Sequence, residues 1–356
     1  MTDRAKTAGP SATSSFIGRH WAALFLVLEV IVFCIVADGF FTLHTFQLVF
    51  IAGIPLFLLA VAETFVIITG GIDLSVGFIF GFGTVVSAKL IVAFQGLGLG
   101  DAEAILIGCL ATLLIGIIPG YINGWLVARL RVPPFIATYS MLSVSYGISE
   151  ILVEGSQAGN LPYLATVIGT SYFAYFIPGR GLSFFSHERV TRGTDVISIL
   201  PVMVVVVFVI ILIFAFVLRN TRFGQHTYAI GGSSDAAVRS GISVKWHLER
   251  VYMISSFLAT LAGILYTLQY AEGKADAGAS YLLDSIVAVV IGGASLYGGV
   301  GTIGGTLIGA LLLSVLETGL RVLGLPNFTI YVTVGVILIV AVLVDQFLPE
   351  RTDSYR

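Results

Sequence analysis

Six acidic residues lie in or beside long apolar runs: Glu29, Glu63, Asp73, Glu150, Asp284 and Glu317. A carboxylate at mid-bilayer is expensive unless it is protonated, paired or capping a helix end. Such groups could bind a coupling ion, act as a catalytic carboxylate pair, or serve structure alone. The stretch TGGIDLSVG, residues 69–77, sets Asp73 and Ser75 behind Gly70 and Gly71, between two apolar runs.

Most soluble-enzyme chemistry has little to build on. His20 and His44 sit near span ends and His187, His226 and His247 in loops, so no histidine lies in a span beside the acids and a metal site is not expected. No G-x-x-x-x-G-K-[ST] pattern occurs, so ATP is not bound through a P-loop. Gly299, Gly301 and Gly304 match G-x-G-x-x-G, but no strand precedes them and they open an apolar helix, which reads as helix packing. Cys34 and Cys109 lie in apolar runs and read as small apolar filler. Asn327 heads a formal glycosylation sequon that carries no weight alone.

The elements that must position these residues follow from composition. The 356 residues are 57% hydrophobic and 11% charged, with a mean hydropathy of +1.01. A soluble chain carries about 25% charged residues. The expected fold class is therefore an all-α, polytopic transmembrane helix bundle. A net charge of -2 with no basic cluster gives no case for nucleic acid. Apolar runs and their breakers predict about ten spans: 20–38, 46–69, 74–94, 103–130, 134–153, 196–218, 248–270, 282–297, 300–321 and 327–348. The eighth is short for a full crossing and the fourth contains Pro119. A polar tail, residues 1–19, precedes the membrane domain 20–348, and 349–356 follow it. The first apolar run lacks a convincing cleavage site and is expected to be a retained helix.

Lys and Arg orient the array. With the N-terminus inside, twelve fall on cytoplasmic segments and six outside, three of them in one long loop. Both termini are expected to be cytoplasmic. Five helices per half would make the halves inverted repeats if they are related. Residues 154–195 form a long aromatic outside loop, either a lid at the interface or a docking surface. Residues 219–247 form the main inside loop, where SSDAAVRSG is the only plausible short helix. Ser233 or Ser234 would cap that helix and Gly241 would stop it.

Small residues recur at four-residue spacing: Gly77 and Gly81; Gly116, Gly120 and Gly124; Gly301, Gly305 and Gly309. In lipid, close backbone approach supplies the contact between helices. Gly70 and Gly71 would end one helix through a left-handed residue. Asp73 and Ser75 then stand where oxygens cap the next helix. A similar stretch, VVIGGASLYGG at 289–299, brings Ser295 after two glycines. Such breaks are either discontinuous helices lining a transport pathway or two tight cytoplasmic turns.

Four blocks carry a family resemblance: TGGIDLSVG (69–77), NGWLVARLRVPPFIAT (123–138), YAIGGSSDAAVRSGI (228–242) and LDSIVAVVIGGASLYGGVGTIGGTLIGAL (283–311). Together they resemble the permease subunits of ribose/xylose/arabinose/galactoside-type ABC importers, over about residues 45–345. The resemblance implies two permease subunits, identical or not, in a bacterial cytoplasmic membrane. It also implies cytoplasmic ATPase subunits that bind ATP and Mg, and a periplasmic or extracellular sugar-binding protein. This chain itself would need no cofactor and would catalyse nothing. Gly232, Asp235, Ala236, Ala237, Arg239 and Gly241 would couple it to the ATPase. The sugar's path would pass Gly70, Gly71, Asp73, Ser75, Asn123, Thr138, Tyr139 and Ser295. The alternatives are an ABC permease for a nucleoside or branched-chain amino acid, an ion-coupled carrier using Glu63, Asp73 or Asp284, and an intramembrane enzyme with a carboxylate pair.

Overall fold

A computed structural model describes residues 12–178, 181–184, 196–326, 328–336 and 339. Among these, seven helices are long and apolar enough to cross a membrane: α2 (Leu43–Ile68), α3 (Val76–Gly96), α4 (Asp101–Ala128), α5 (Pro134–Val153), α7 (Val202–Asn220), α10 (Val244–Tyr270) and α12 (Ile303–Val322). α1 (Ala12–Val36) contains the shorter apolar segment Trp21–Val36, and α11 (Tyr281–Ile291) is short as well. The protein is thus a multi-pass helical membrane protein. Residues 1–11, the expected C-terminal tail and most of the tenth expected span lie outside the described residues; 12–19, expected in the polar tail, already belong to α1, and 328–336 are helical.

The bundle is organised around α2. Thr42 caps it, its hydroxyl accepting from the Thr45 N–H at 3.2 Å. Every residue from Gly53 to Ile68 is buried. A helix apolar on all sides belongs at the centre of its bundle, and α2 is sheathed by α7, α10, α11 and α12. α3 and α4 form a second layer on α10, with α5 packed on α3, and α2 and α3, consecutive in the chain, scarcely touch.

The glycine stripes are packing seams, as expected. A Cβ on Gly116 would lie 2.1 Å from the Thr260 hydroxyl, on Gly120 2.3 Å from the Tyr252 carbonyl, and on Gly124 2.6 Å from the Glu249 Cα. α4 therefore lies against α10 backbone to backbone, and Ser256 Oγ donates to the Gly116 carbonyl at 2.5 Å. Gly305 and Gly309 hold α12 against α11 in the same way.

Four expectations are corrected. The chain is not wholly α: in the 154–195 loop α6 (Tyr163–Thr170) leads into β1 (Tyr172–Ile177) and β2 (Gly181–Phe184), which with β3 (Ile197–Pro201), from the start of the expected sixth span, form an antiparallel sheet of order β2-β1-β3. The aromatic-rich β1, with Tyr172, Phe173, Tyr175 and Phe176, suits a pleated, half-buried surface. Gln47 fixes this sheet to α2 by donating to the Ser198 and Ile199 carbonyls, at 2.6 and 2.9 Å. The sixth span starts at Val202 rather than 196, because β3 runs through Pro201 and proline suits the entry to a helix. The 219–247 loop holds two helices, not one: α8 (Arg222–Gly232) precedes α9 (Ser234–Arg239). Thr221, whose hydroxyl accepts from the Gly224 N–H at 3.4 Å, is the starting signal for α8. The eighth expected span shrinks to α11, whose eleven residues reach about 16 Å, half of the hydrocarbon core.

Candidate functional site

The break between α2 and α3 gathers polar side chains from four elements. Gly70 takes φ +81°, its N–H donates to the Ile67 carbonyl at 2.9 Å, and the Gly71 N–H donates to that of Val66 at 3.1 Å. These bonds satisfy the last carbonyls of α2 and turn the chain inward. Asp73 is then fully buried. Its Oδ1 accepts from the Ser75 N–H at 3.0 Å and from Ser75 Oγ at 2.5 Å, and its Oδ2 from Ser255 Oγ of α10 at 2.8 Å. Asn123 Nδ2 of α4 donates to Ser75 Oγ at 2.9 Å. Thr138 Oγ1 of α5 reaches the Ile72 carbonyl at 3.3 Å.

The expected cap is corrected by this geometry. Neither the Asp73 nor the Ser75 side chain offers an oxygen to the free N–H groups of α3. The Ser75 hydroxyl is instead spent as a donor to Asp73, because a buried carboxyl group with no ion-pair partner among the described residues needs several donors. Asp73, Ser75, Asn123 and Thr138 are brought together. Ser255 completes them. The signal for it was its place beside Ser256 in an apolar run, where a hydroxyl must find a partner.

Glu63, one helical turn before the end of α2, is also fully buried, and its carboxyl oxygens, the Tyr252 hydroxyl and Asn123 Oδ1 have no hydrogen-bond partner among the described residues. Gly71 faces Tyr252 so closely that a Cβ would stand 2.8 Å from the hydroxyl.

The second break reaches the first. The Gly299 N–H donates to the Ile68 carbonyl at 2.8 Å. Gly231, at the end of α8, packs on both, since a Cβ there would lie 1.8 Å from the Ile68 oxygen and 2.5 Å from the Gly299 nitrogen. Tyr228 Oη donates to the Gly301 carbonyl at 2.7 Å. The end of α2, the 292–302 turn and the end of α8 therefore form one backbone junction. Ser295 serves its own turn, accepting from the Tyr297 N–H at 3.2 Å, and makes no bond to the Asp73 cluster.

α9 projects from this junction. Ser233 caps it, its hydroxyl accepting from the Ala236 N–H at 3.2 Å, and Gly241 stops it with φ +81°. Ala237 is its one buried residue, whereas Gly232, Asp235, Ala236 and Arg239 are exposed. Two ties hold this end of the bundle. The Thr227 hydroxyl meets His247 Nε2 at 2.9 Å, and Arg129 binds Glu249 at 2.5 Å while covering the Trp246 ring. The Glu249 carboxylate raises the pKa of Arg129.

Tyr139 stands apart from the buried cluster. It is 56% exposed on α5 and stacks on Phe135 with ring centroids 6.2 Å apart. Glu29 is buried in α1 with both carboxyl oxygens unpartnered among the described residues. Glu150 lies near Tyr146 on α5, and Asp284 and Glu317 share a pocket at the far end of α11 and α12.

The family model described as "Branched-chain amino acid transport system / permease component" matches residues 46–342. The chain is 37% identical to the ribose import permease protein RbsC of Bacillus subtilis over 290 residues, 81% of this chain and 80% of that one. It is 31% identical to RbsC of Escherichia coli over 346 residues, 97% of this chain and 99% of that one. The fructose import permease protein FrcC of Rhizobium meliloti is 33% identical over 91% of this chain and 84% of its own length. No solved structure matches.

Proposed function

This chain belongs to the family described as branched-chain amino acid transport system / permease component, and from that premise we propose that it is the transmembrane permease subunit of an ATP-driven sugar importer. The observation that carries the reading is likeness running nearly end to end with a ribose import permease, together with fructose and xylose permeases among the relatives. Sugar is favoured over the amino acids of the family description on that ground.

In this proposal two permease subunits stand side by side in a bacterial inner membrane, both termini inside. A soluble binding protein delivers sugar outside, and ATPase subunits, which bind ATP and Mg, dock inside on α9. The glycine junction supports a mechanical role. A shift of α9 reaches Ile68 and Gly299 through Gly231 and Gly232, with no flexible side chain between. Packed backbone of this kind transmits displacement rather than absorbing it. Asp73, Ser75, Asn123 and Thr138 hold the break at its depth, as irregular backbone in a membrane requires. Gly70, Gly71 and Ser295 let the two breaks turn, and Tyr139 with Phe135 offers a ring face to the sugar's path. Alternating access then moves the two breaks together, and both belong to the pathway.

Affinity purification in mild detergent should bring down an ATPase. Sugar uptake should stop on ATP depletion and survive an uncoupler at fixed ATP. Uphill transport by the chain alone in liposomes, driven by an ion gradient, would overturn the proposal.

A further inference from the structure

A cavity of about 280 Å³ opens between α11, the last turns of α12 and residues 330–335, at the end of the bundle away from the glycine junction. Fifteen residues of α12 separate Thr302 from Glu317, about 22 Å of rise. The polar side chains around the cavity are Ser280, Tyr281, Asp284, Glu317, Arg321 and Tyr331. Arg321 stands 3.8 Å from Glu317. Asp284 has Glu317 as its charged neighbour and no ion-pair partner among the described residues.

This set of groups selects by charge. With Glu317 held by Arg321, a simple cation would find only the single carboxylate of Asp284 to draw it. An anion would meet Arg321 and be repelled by both acids. A neutral molecule with several hydroxyls suits every group at once. Its O–H groups donate to Asp284 and Glu317, its oxygens accept from Arg321, and its C–H faces lie on the phenol rings. The volume sits near the lower edge of small-molecule sites, roughly 300 Å³ upward, a size that suits a monosaccharide. We propose that this pocket is a monosaccharide-binding subsite on the outer side of the permease, separate from the buried cluster at Asp73. Placing it on the delivery side rests on the importer reading; the pocket and its chemistry do not.

Protection from labelling tests the inference. Ser280→Cys, in the full chain with Cys34→Ala and Cys109→Ala, is exposed to a membrane-impermeant maleimide in lipid nanodiscs. The probes are D-ribose, D-xylose and D-fructose, with choline and inorganic phosphate as charged competitors. At least one sugar should slow labelling several-fold, and Asp284→Asn should raise the sugar needed about tenfold, the effect of one charge-assisted hydrogen bond. Leu283→Cys, also exposed, gives a second reporter at the same rim. If no sugar protects either cysteine while the complete transporter imports one of them, the subsite is wrong and the importer reading stands. Protection by choline or phosphate alone overturns the subsite in favour of an ion site. If the complete transporter imports no sugar yet sugar protects the cysteines, the subsite stands and the importer reading fails.

Discussion

Gly299 and Ile68, far apart in the chain, share a hydrogen bond of 2.8 Å from amide to carbonyl, and Gly231 closes over it. A helix end, a turn and the base of an exposed helix thus meet without a side chain between them.

Gly231→Leu should break this junction. Its Cβ would collide with backbone that has no rotamer to yield. Overpacking of this kind costs about 1–3 kcal/mol or more. The expected result is a lowered Tm in detergent and loss of uptake. Gly304→Ala, with open space around it, should leave both near wild type.

Ser255→Ala removes one of three donors from a buried carboxylate and should cost about 1.5–3 kcal/mol. Asp73→Asn should be destabilising as well. The double variant should be less destabilised than the sum, because the two changes remove the same interaction. Additive losses, read from unfolding midpoints of the four proteins, would contradict the bond between α10 and the break.

Arg129→Met strands the Glu249 carboxylate, which is fully buried, with no cation beside it. It should lower the Tm. Adding Glu249→Gln to that variant should recover most of the loss, whereas a simple packing role for Arg129 would leave the double variant no better.

Asp235→Lys and Gly241→Trp alter the exposed surface and the stop of α9. Each should leave membrane insertion intact while ATP hydrolysis by the assembled transporter loses its coupling to uptake. The measurement is sugar-stimulated hydrolysis beside transport in the same proteoliposomes. Normal coupling in both variants would remove α9 from the transmission path.

Much of this was legible in the residues themselves. The glycine stripes announced their seams because four-residue spacing returns to one helix face. Ser233 and Gly241 announced α9 because caps act locally. α8 was missed because its residues form no apolar run, and Thr221 as a cap was overlooked. The sheet was missed because β1 and β2 sit in a segment read only as a loop, and the apolar residues of β3 were read as the start of the sixth span. The distant bonds of this cluster were beyond reading, since Ser255 lies 182 residues from Asp73 and Asn123 48 residues from Ser75. No local rule links such positions; only the packing of α4 and α10 does.

That 182-residue gap also bears on how the protein is made. Synthesis runs from the N-terminus, so Asp73 enters the bilayer while α10 is still untranslated. Until then, its charge must be relieved by water, a proton or the insertion machinery. α2 likewise begins among lipids and is enclosed only by helices made afterwards. A ribosome halted before α10 should therefore leave a first half that chaperones and proteases recognise as unfinished.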